Sequence, residues 1–307
     1  MVERRTVSNR IFDICNYIVL ALIALVCLYP MLHVFFGSFS DPRLLAKHNG
    51  LLLWPLGHTR RGYEIVLQNP NVWSGYANTL FYVIIGTVSR TFMTMLGAYV
   101  LIQKDFMPRR IIMMLFVFTM YFSGGMIPDY LLVTKLHLLN TRWAIIIPSL
   151  ISTWNMIILR TAFAQVPASL EESARLDGAG DMTILFRIIL PATKASMAVI
   201  IMYYAVGEWN SWFSAAIYLP ARRDYYPLQL FLREILINYS TSGNATGGAG
   251  AAGLGAGAIA DADAVEALIE DVVRYCTICV ATIPILCIYP FVQRYFVKGV
   301  MMGSIKE

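Results

Sequence analysis

The chain alternates long apolar segments with shorter polar ones. A helix needs about 20 predominantly apolar residues to cross the hydrocarbon core of a bilayer. The pattern therefore predicts an all-α membrane protein with about six transmembrane helices. Their predicted positions are residues 11–36, 76–102, 111–126, 143–163, 184–206 and 276–296.

Turn-forming residues interrupt some of these spans. Gly124, Gly125 and Pro128 predict a break at the end of the third span, and Pro148 predicts one in the fourth. Proline removes a backbone donor and clashes with the preceding turn, so Pro191 predicts a kink in the fifth span. The spans are therefore expected to be bent rather than straight.

The longest polar connection covers residues 219–274. Its middle part, 243–260, is rich in Gly and Ala, a composition typical of a flexible loop. We expect this connection to lie on the extracytoplasmic side.

Positive charge predicts the orientation, since Lys and Arg concentrate in cytosolic loops. With the basic segment 1–10 in the cytosol, the basic turn 103–110 and the tail 298–307 fall there too. The segment 1–10 and the tail 298–307 flank a transmembrane permease domain at 11–297. The charged segment 165–182 falls on the same side. The arginines that do not follow the rule are Arg60, Arg61, Arg222 and Arg223.

The composition supports a membrane class. The chain is 58% hydrophobic and 14% charged, with a net charge of +5, and its mean hydropathy is +0.61. Basic residues in such a chain flank membrane helices more readily than they bind nucleic acid. No metal cluster, phosphate loop or nucleophile elbow is present, so an enzyme is not indicated.

The segment 165–182 is a charged island between two apolar spans. Pro167 is suited to a helix start, and Ser169 with Glu172 has the spacing of a capping box. Gly178 and Gly180 are suited to a helix end, and Asp181 to capping the next helix. The residues predict a short exposed helix across the end of the bundle; an ordinary polar loop is the alternative.

The same island carries a longer pattern. Glu172, Ser173 and Ala174 are followed after three residues by Gly178, and nine residues later by Ile188-x-Leu190-Pro191. This spacing resembles the EAA signature of inner-membrane permeases of binding-protein-dependent ABC importers. The one departure is Ser173, where the family usually has Ala.

Other stretches resemble the carbohydrate-uptake group of these permeases, of the same type as the inner-membrane subunits of the maltose importer. They are residues 118–128, 140–144, 225–230 and 295–303. They are similar to a branch linked to polysaccharide, oligosaccharide or uronate-rich glycan uptake. The resemblance implies a type I ABC importer permease fold in a bacterial inner membrane.

The resemblance also implies partners and roles. A second, related permease subunit, two ATPase subunits and an extracytoplasmic sugar-binding protein would complete the importer, and ATP and Mg would be bound by the ATPases, not by this chain. Glu172 would contact an ATPase, Arg175 and Asp177 would support docking, and Gly178 would allow the turn. The expected ATPase-coupling residues are Glu171, Glu172, Ser173, Ala174, Arg175, Asp177 and Gly178.

An aromatic and polar cluster follows the fifth span. Sugars stack on aromatic faces and hydrogen-bond to amides and acids, so this cluster is a candidate lining of the substrate pathway; an aromatic belt at the membrane interface is the alternative. The candidate pathway residues are Asn155, Glu208, Trp209, Asn210 and Trp212.

Arg90 lies near the middle of the second span, where an unpaired charge costs at least about 2.5 kcal/mol. We expect it to face the bundle interior, in a structural ion pair or hydrogen bond rather than against substrate, although no partner is evident in the chain. A secondary transporter would need such an ionisable pair within its spans. That class and an ABC permease for a non-sugar solute are the competing interpretations.

Overall fold

The computed structural model describes residues 7–48, 50–245, 269 and 271–287, and this part of the chain is helical without a β-strand. The α-helices are α1 Val7–Ser38, α2 Pro42–Lys47, α3 Arg61–Gln68, α4 Pro70–Phe81, α5 Thr87–Ile102, α6 Arg109–Tyr121, α7 Met126–Lys135, α8 Trp143–Ile146, α9 Thr153–Phe163, α10 Ala168–Leu176, α11 Asp181–Ile184, α12 Leu190–Ala192, α13 Lys194–Trp209, α14 Phe213–Tyr218 and α15 Leu228–Ala245. A further helix, α16, covers residues 271–287.

Two compact units divide the chain. One consists of Met1–Asn69 with Glu234–Thr282, and the other of Pro70–Arg233 with Ile283–Glu307. Within the described residues, two helices are long and apolar enough to cross a membrane: the part of α1 from Arg10 to Ser38, and the continuous helix Pro70–Ile102. Three further pairs of helices meet the same criterion if each bent pair is counted as one span. The predicted all-α membrane class is confirmed.

In the first unit, α1 is apolar along its length and mostly exposed within this chain, as expected for a helix in lipid. At its end, Ser38 is buried and its hydroxyl lies 2.8 Å from that of Tyr63 on α3. The backbone N–H of Leu52 donates to the Tyr29 hydroxyl at 3.2 Å. These bonds hold the segment after α1 against the helix that precedes it.

The core of the second unit lies among α5, α9, α11 and α13. Met95 and Ala98 of α5, Met156 and Leu159 of α9 and Ile200 of α13 are almost completely buried. Because side chains in a protein interior pack closely, this cluster fixes α5, α9, α11 and α13 relative to one another.

The predicted breaks are confirmed. α6 and α7 meet at 117°, where Gly125 has a φ of 87° that favours glycine. The helix Trp143–Ser149, which contains Pro148 in its last turn, differs in direction from α9 by 50°, with the break after Ser149. The chain turns by 90° at Thr193, just beyond Pro191.

The predicted polar connection 219–274 contains α15, an 18-residue helix that the sequence analysis did not predict. Leu228, Phe231 and Leu232 are buried at the spacing of one helix face. This apolar face stabilises a helix in a segment whose overall composition is polar. α15 reaches Ala245, and the rest of the Gly/Ala-rich segment lies outside the described residues, as do residues 1–6 and the tail 298–307.

Candidate functional site

The charged island forms α10, a helix of nine residues. It begins one residue after Pro167, whose extended backbone (φ −58°, ψ 129°) occupies the N-cap position and whose carbonyl accepts from Leu170 N at 3.1 Å. Ser169 therefore lies inside the first turn, and the predicted capping box is wrong. The proline begins the helix earlier than the serine could, because its fixed φ is already suited to the turn.

The C-terminus of α10 ends in a Schellman motif. Ala179 N donates to Ala174 O at 2.9 Å, and Gly178 N donates to Arg175 O at 3.1 Å. Gly178 has a φ of 82°, which confirms its predicted role, whereas Gly180 is extended at −76°. Asp177 is the C-cap residue between helix and turn.

Arg175 links α10 to two neighbouring elements. Its Nη2 donates to Glu171 Oε1 at 3.0 Å, to Asp181 Oδ1 at 2.9 Å and to Gln103 Oε1 at 3.2 Å. The hydrogen bond to Glu171 and the two nearby carboxylates raise the pKa of the guanidinium above its ordinary value. Asp181 does not cap α11 as predicted, since Gly180 occupies that position and the carboxylate accepts from Arg175 instead.

The two faces of α10 differ in chemistry. Ala174 is 9% exposed and belongs to the apolar core cluster, together with Phe163 of α9 and Ile184 of α11. Glu172 and Ser173 are exposed, and Leu176 is 89% exposed. α10 is thus a short helix fixed to the bundle on one side, with acidic and apolar side chains exposed on the other.

A second polar feature lies in the bundle interior. Arg90 of α5 forms a buried ion pair with Glu208 of α13, so the statement that no partner is evident is wrong. Arg90 Nη2 also donates to Ser149 Oγ at 2.6 Å and to Ile145 O at 3.2 Å. The guanidinium therefore joins α5, α13 and the broken segment after α8, as the structural interpretation of Arg90 expects.

A second link joins the same three parts of the bundle. The hydroxyl groups of Thr94 and Tyr204 lie 2.6 Å apart, and Ser152 N donates to the Tyr204 hydroxyl at 3.2 Å. Sequence reasoning missed this polar face of α5. The available signal was helical spacing of polar residues within an apolar span, at Thr87, Arg90, Thr91 and Thr94.

The five candidate pathway residues have different environments. Asn155, Glu208 and Trp209 are buried. Asn210 is the exposed C-cap residue of α13, and its Nδ2 donates to Val206 O at 3.0 Å. The guanidinium carbon of Arg233 lies over the ring of Trp212, 3.3 Å from the ring centroid. Glu208 is thus engaged by Arg90, and Asn210 offers the most accessible polar group of the set.

Arg142 connects two of the stretches that carry the family resemblance, 140–144 and 225–230. Its guanidinium lies 4.7 Å from the ring centroid of Phe81 and 4.8 Å from that of Tyr225. Its Nη2 donates to Asn78 Oδ1 at 2.9 Å, and Asn78 Nδ2 donates to Tyr226 O at 3.1 Å. The two stretches therefore form one packed cluster.

Comparison with known proteins agrees with this architecture. The chain is 36% identical over 299 residues to the polygalacturonan/rhamnogalacturonan transport system permease protein YtcP of Bacillus subtilis (strain 168), covering 97% of this chain and 99% of that protein. It is 35% identical over 303 residues to protein LplC of the same organism, covering 98% and 97%.

A solved structure is similar over almost the whole chain. It is the crystal structure of a bacterial ABC transporter involved in the import of the acidic polysaccharide alginate, with a TM-score of 0.79 and 31% identity, covering 95% of this chain and 98% of that one. Residues 106–260 match the family described as binding-protein-dependent transport system inner membrane component. The chain belongs to that family of inner-membrane permeases, and it is a transport subunit rather than an enzyme.

Proposed function

We propose that this chain forms half of the translocation pathway of an ABC importer for an oligosaccharide or a sugar derived from a polysaccharide. The observation that carries the proposal is its likeness, over nearly its full length, to a permease named for polygalacturonan and rhamnogalacturonan and to a chain of an ABC transporter involved in alginate import. Galacturonan and alginate are both built from acidic sugars, so uronate-containing oligosaccharides are the first substrates to test.

ATP hydrolysis in two partner ATPase subunits drives transport in this proposal, and ATP and Mg are bound there. The exposed face of α10, with Glu172 and Leu176, docks on an ATPase. Arg175 and Ala174 make the helix rigid with respect to the bundle, because they tie it to Asp181 and to the apolar core. Movement of the ATPase then displaces helices of the bundle instead of bending α10.

A second permease subunit completes the pathway, and an extracytoplasmic binding protein delivers the sugar. We place both termini in the cytoplasm, which puts α10 on the ATP side. Asn155, Glu208, Trp209, Asn210 and Trp212 are the proposed contributors to the pathway from this chain.

The test is affinity purification of the tagged chain from native membranes, followed by reconstitution and uptake assays. The proposal expects a second permease and an ATPase to co-purify. It also expects the reconstituted complex to take up uronate oligosaccharides when ATP is hydrolysed. Uptake of peptides or inorganic anions but not sugars would favour the non-sugar alternative. A chain that purifies alone would contradict the importer assembly.

Glu172→Lys tests the docking surface in the same preparation. It should abolish ATPase association and uptake without loss of expression, because it reverses the charge at the proposed contact. Glu64→Lys is the matched control, since Glu64 is also exposed but lies on α3, in the segment we place outside. Normal uptake in Glu172→Lys would remove the coupling role.

A further inference from the structure

Three oxygen atoms at the Arg90–Glu208 pair are buried without a hydrogen-bond partner, and so is Arg90 Nε. Within the described residues, the three oxygens are Thr87 Oγ1, Thr91 Oγ1 and Glu208 Oε2. The residues are 7%, 8% and 5% exposed. Buried polar groups are almost always hydrogen-bonded, so three such atoms on neighbouring helices require an explanation.

The two threonines differ from others in this chain. A helical threonine commonly donates to the carbonyl four residues earlier, as Thr161 does to Ile157 O and Thr134 to Tyr130 O, both at 2.8 Å. Thr87 and Thr91 make no such bond. Both hydroxyl groups therefore keep their hydrogen-bonding capacity for a group outside their own helix.

The backbone before Thr87 is also unusual. Tyr82–Gly86 forms a π-helical turn directly before α5, and such turns are frequent at functional sites. A Cβ at Gly86 would lie 3.5 Å from Glu208 Oε2, so this part of the helix approaches the carboxylate closely. Thr87 follows Gly86 immediately, and Thr91 lies one turn further on the same face of α5.

The charges at this place select the chemistry of a ligand. Arg90 neutralises Glu208, so the cluster carries no net charge and does not favour a free cation or anion. Threonine hydroxyls donate and accept, and the second carboxylate oxygen accepts. A hydroxyl group of a sugar donates and accepts in the same way.

We propose that Thr87, Thr91 and Glu208 Oε2 form a contact site for the hydroxyl groups of a carbohydrate as it crosses this subunit. The inference rests on the proposed function and adds two threonines to the pathway. The site is closed in this structure. Its walls include the π turn on one side and, on another, the end of the helix Trp143–Ser149 just before its break, so a rearrangement of these segments opens it.

The test uses the reconstituted importer with the Thr87→Val/Thr91→Val double variant. Valine keeps the shape of threonine and leaves the ion pair in place. We expect uptake of the transported oligosaccharide at limiting concentration to fall about tenfold, since two neutral hydrogen bonds are lost. The melting temperature of the complex should stay equal or rise, because unpartnered hydroxyls leave the interior.

Two further variants separate this role from packing. Thr87→Ser/Thr91→Ser keeps both hydroxyls and should retain most of the uptake, and Thr161→Val should leave uptake unchanged. Wild-type uptake in the double valine variant would overturn the site, as would an equal loss in the serine variant. Failure of the wild-type importer to take up any sugar would instead contradict the proposed function itself.

Discussion

Arg90 of α5 and Glu208 of α13 form an ion pair, although the two residues are 118 positions apart in the chain. Their side chains are 8% and 4% exposed. Since Arg90 also donates to Ser149 and Ile145 O, one guanidinium joins three segments of the second unit. Glu208 lies one residue before the end of α13, and Ser149 lies directly before a break, so the pair fixes these two helix ends against the continuous helix that carries Arg90.

Removing one member of the pair should be costly. Arg90→Met leaves a buried carboxylate without its cation, and we expect about 3–5 kcal/mol of destabilisation, measured as a lower melting temperature of the solubilised protein. The double variant Arg90→Met/Glu208→Met should recover much of this loss, because no charge remains buried.

Arg222→Met is the control for that series. Arg222 is half exposed and lies 3.9 Å from Asp224, so its loss should cost less than about 1 kcal/mol. Equal melting temperatures for Arg90→Met and Arg222→Met would show that the buried pair does not stabilise the bundle.

Gly178→Ala should weaken the end of α10. Alanine at a φ of 82° costs about 1–2 kcal/mol. No atom lies within 4 Å of the added Cβ, so a steric clash does not contribute to the effect. At Gly180 an added Cβ also has no atom within 4 Å, but φ is −76°, so Gly180→Ala should be neutral. Binding-protein-stimulated ATPase activity should fall in the first variant only; the same activity in both would exclude a role for the turn.

Arg175→Met should separate coupling from stability. The side chain is 44% exposed, so the melting temperature should change little, but its bonds to Asp181 and Gln103 are lost and α10 becomes less rigid. We expect uptake per ATP hydrolysed to fall severalfold. Asp181→Asn, which retains the acceptor oxygen, should have a smaller effect; an unchanged uptake ratio in Arg175→Met would argue against rigid coupling.

Asn210→Ala and Trp209→Ala should have different effects. Trp209 is 5% exposed, and its truncation should cost about 3–5 kcal/mol and reduce assembly. Asn210 is exposed, so Asn210→Ala should leave assembly intact and reduce uptake if it lines the pathway. Size-exclusion profiles and uptake rates measured side by side test both; normal uptake in Asn210→Ala removes it from the pathway.

Arg142→Lys should loosen the cluster formed by 140–144 and 225–230. Lysine keeps the charge but loses the planar stacking between Phe81 and Tyr225, and we expect about 1–2 kcal/mol of destabilisation. Arg43→Lys, at an exposed position, should be neutral. If both variants melt at the same temperature, the stacking contributes nothing measurable.

Features decided by short-range chemistry were predictable from the sequence. The helical class, the breaks at Gly125, Pro148 and Pro191, and the turn at Gly178 each depend on residues within about ten positions of one another. The errors at Ser169 and Asp181 were also local. In both cases a neighbouring residue, Pro167 or Gly180, occupied the cap position that the serine or aspartate was expected to take.

Only the tertiary structure decided which polar groups meet. Arg90 finds Glu208 across 118 positions, and Asn78 binds Tyr226 O across 148. The helix in residues 228–245 likewise depends on a buried apolar face that average composition conceals. Hydrophobic periodicity determines that a segment is helical and which face is apolar, but the packing of distant helices determines the partner of each buried polar group, because burial without a partner is costly wherever it occurs.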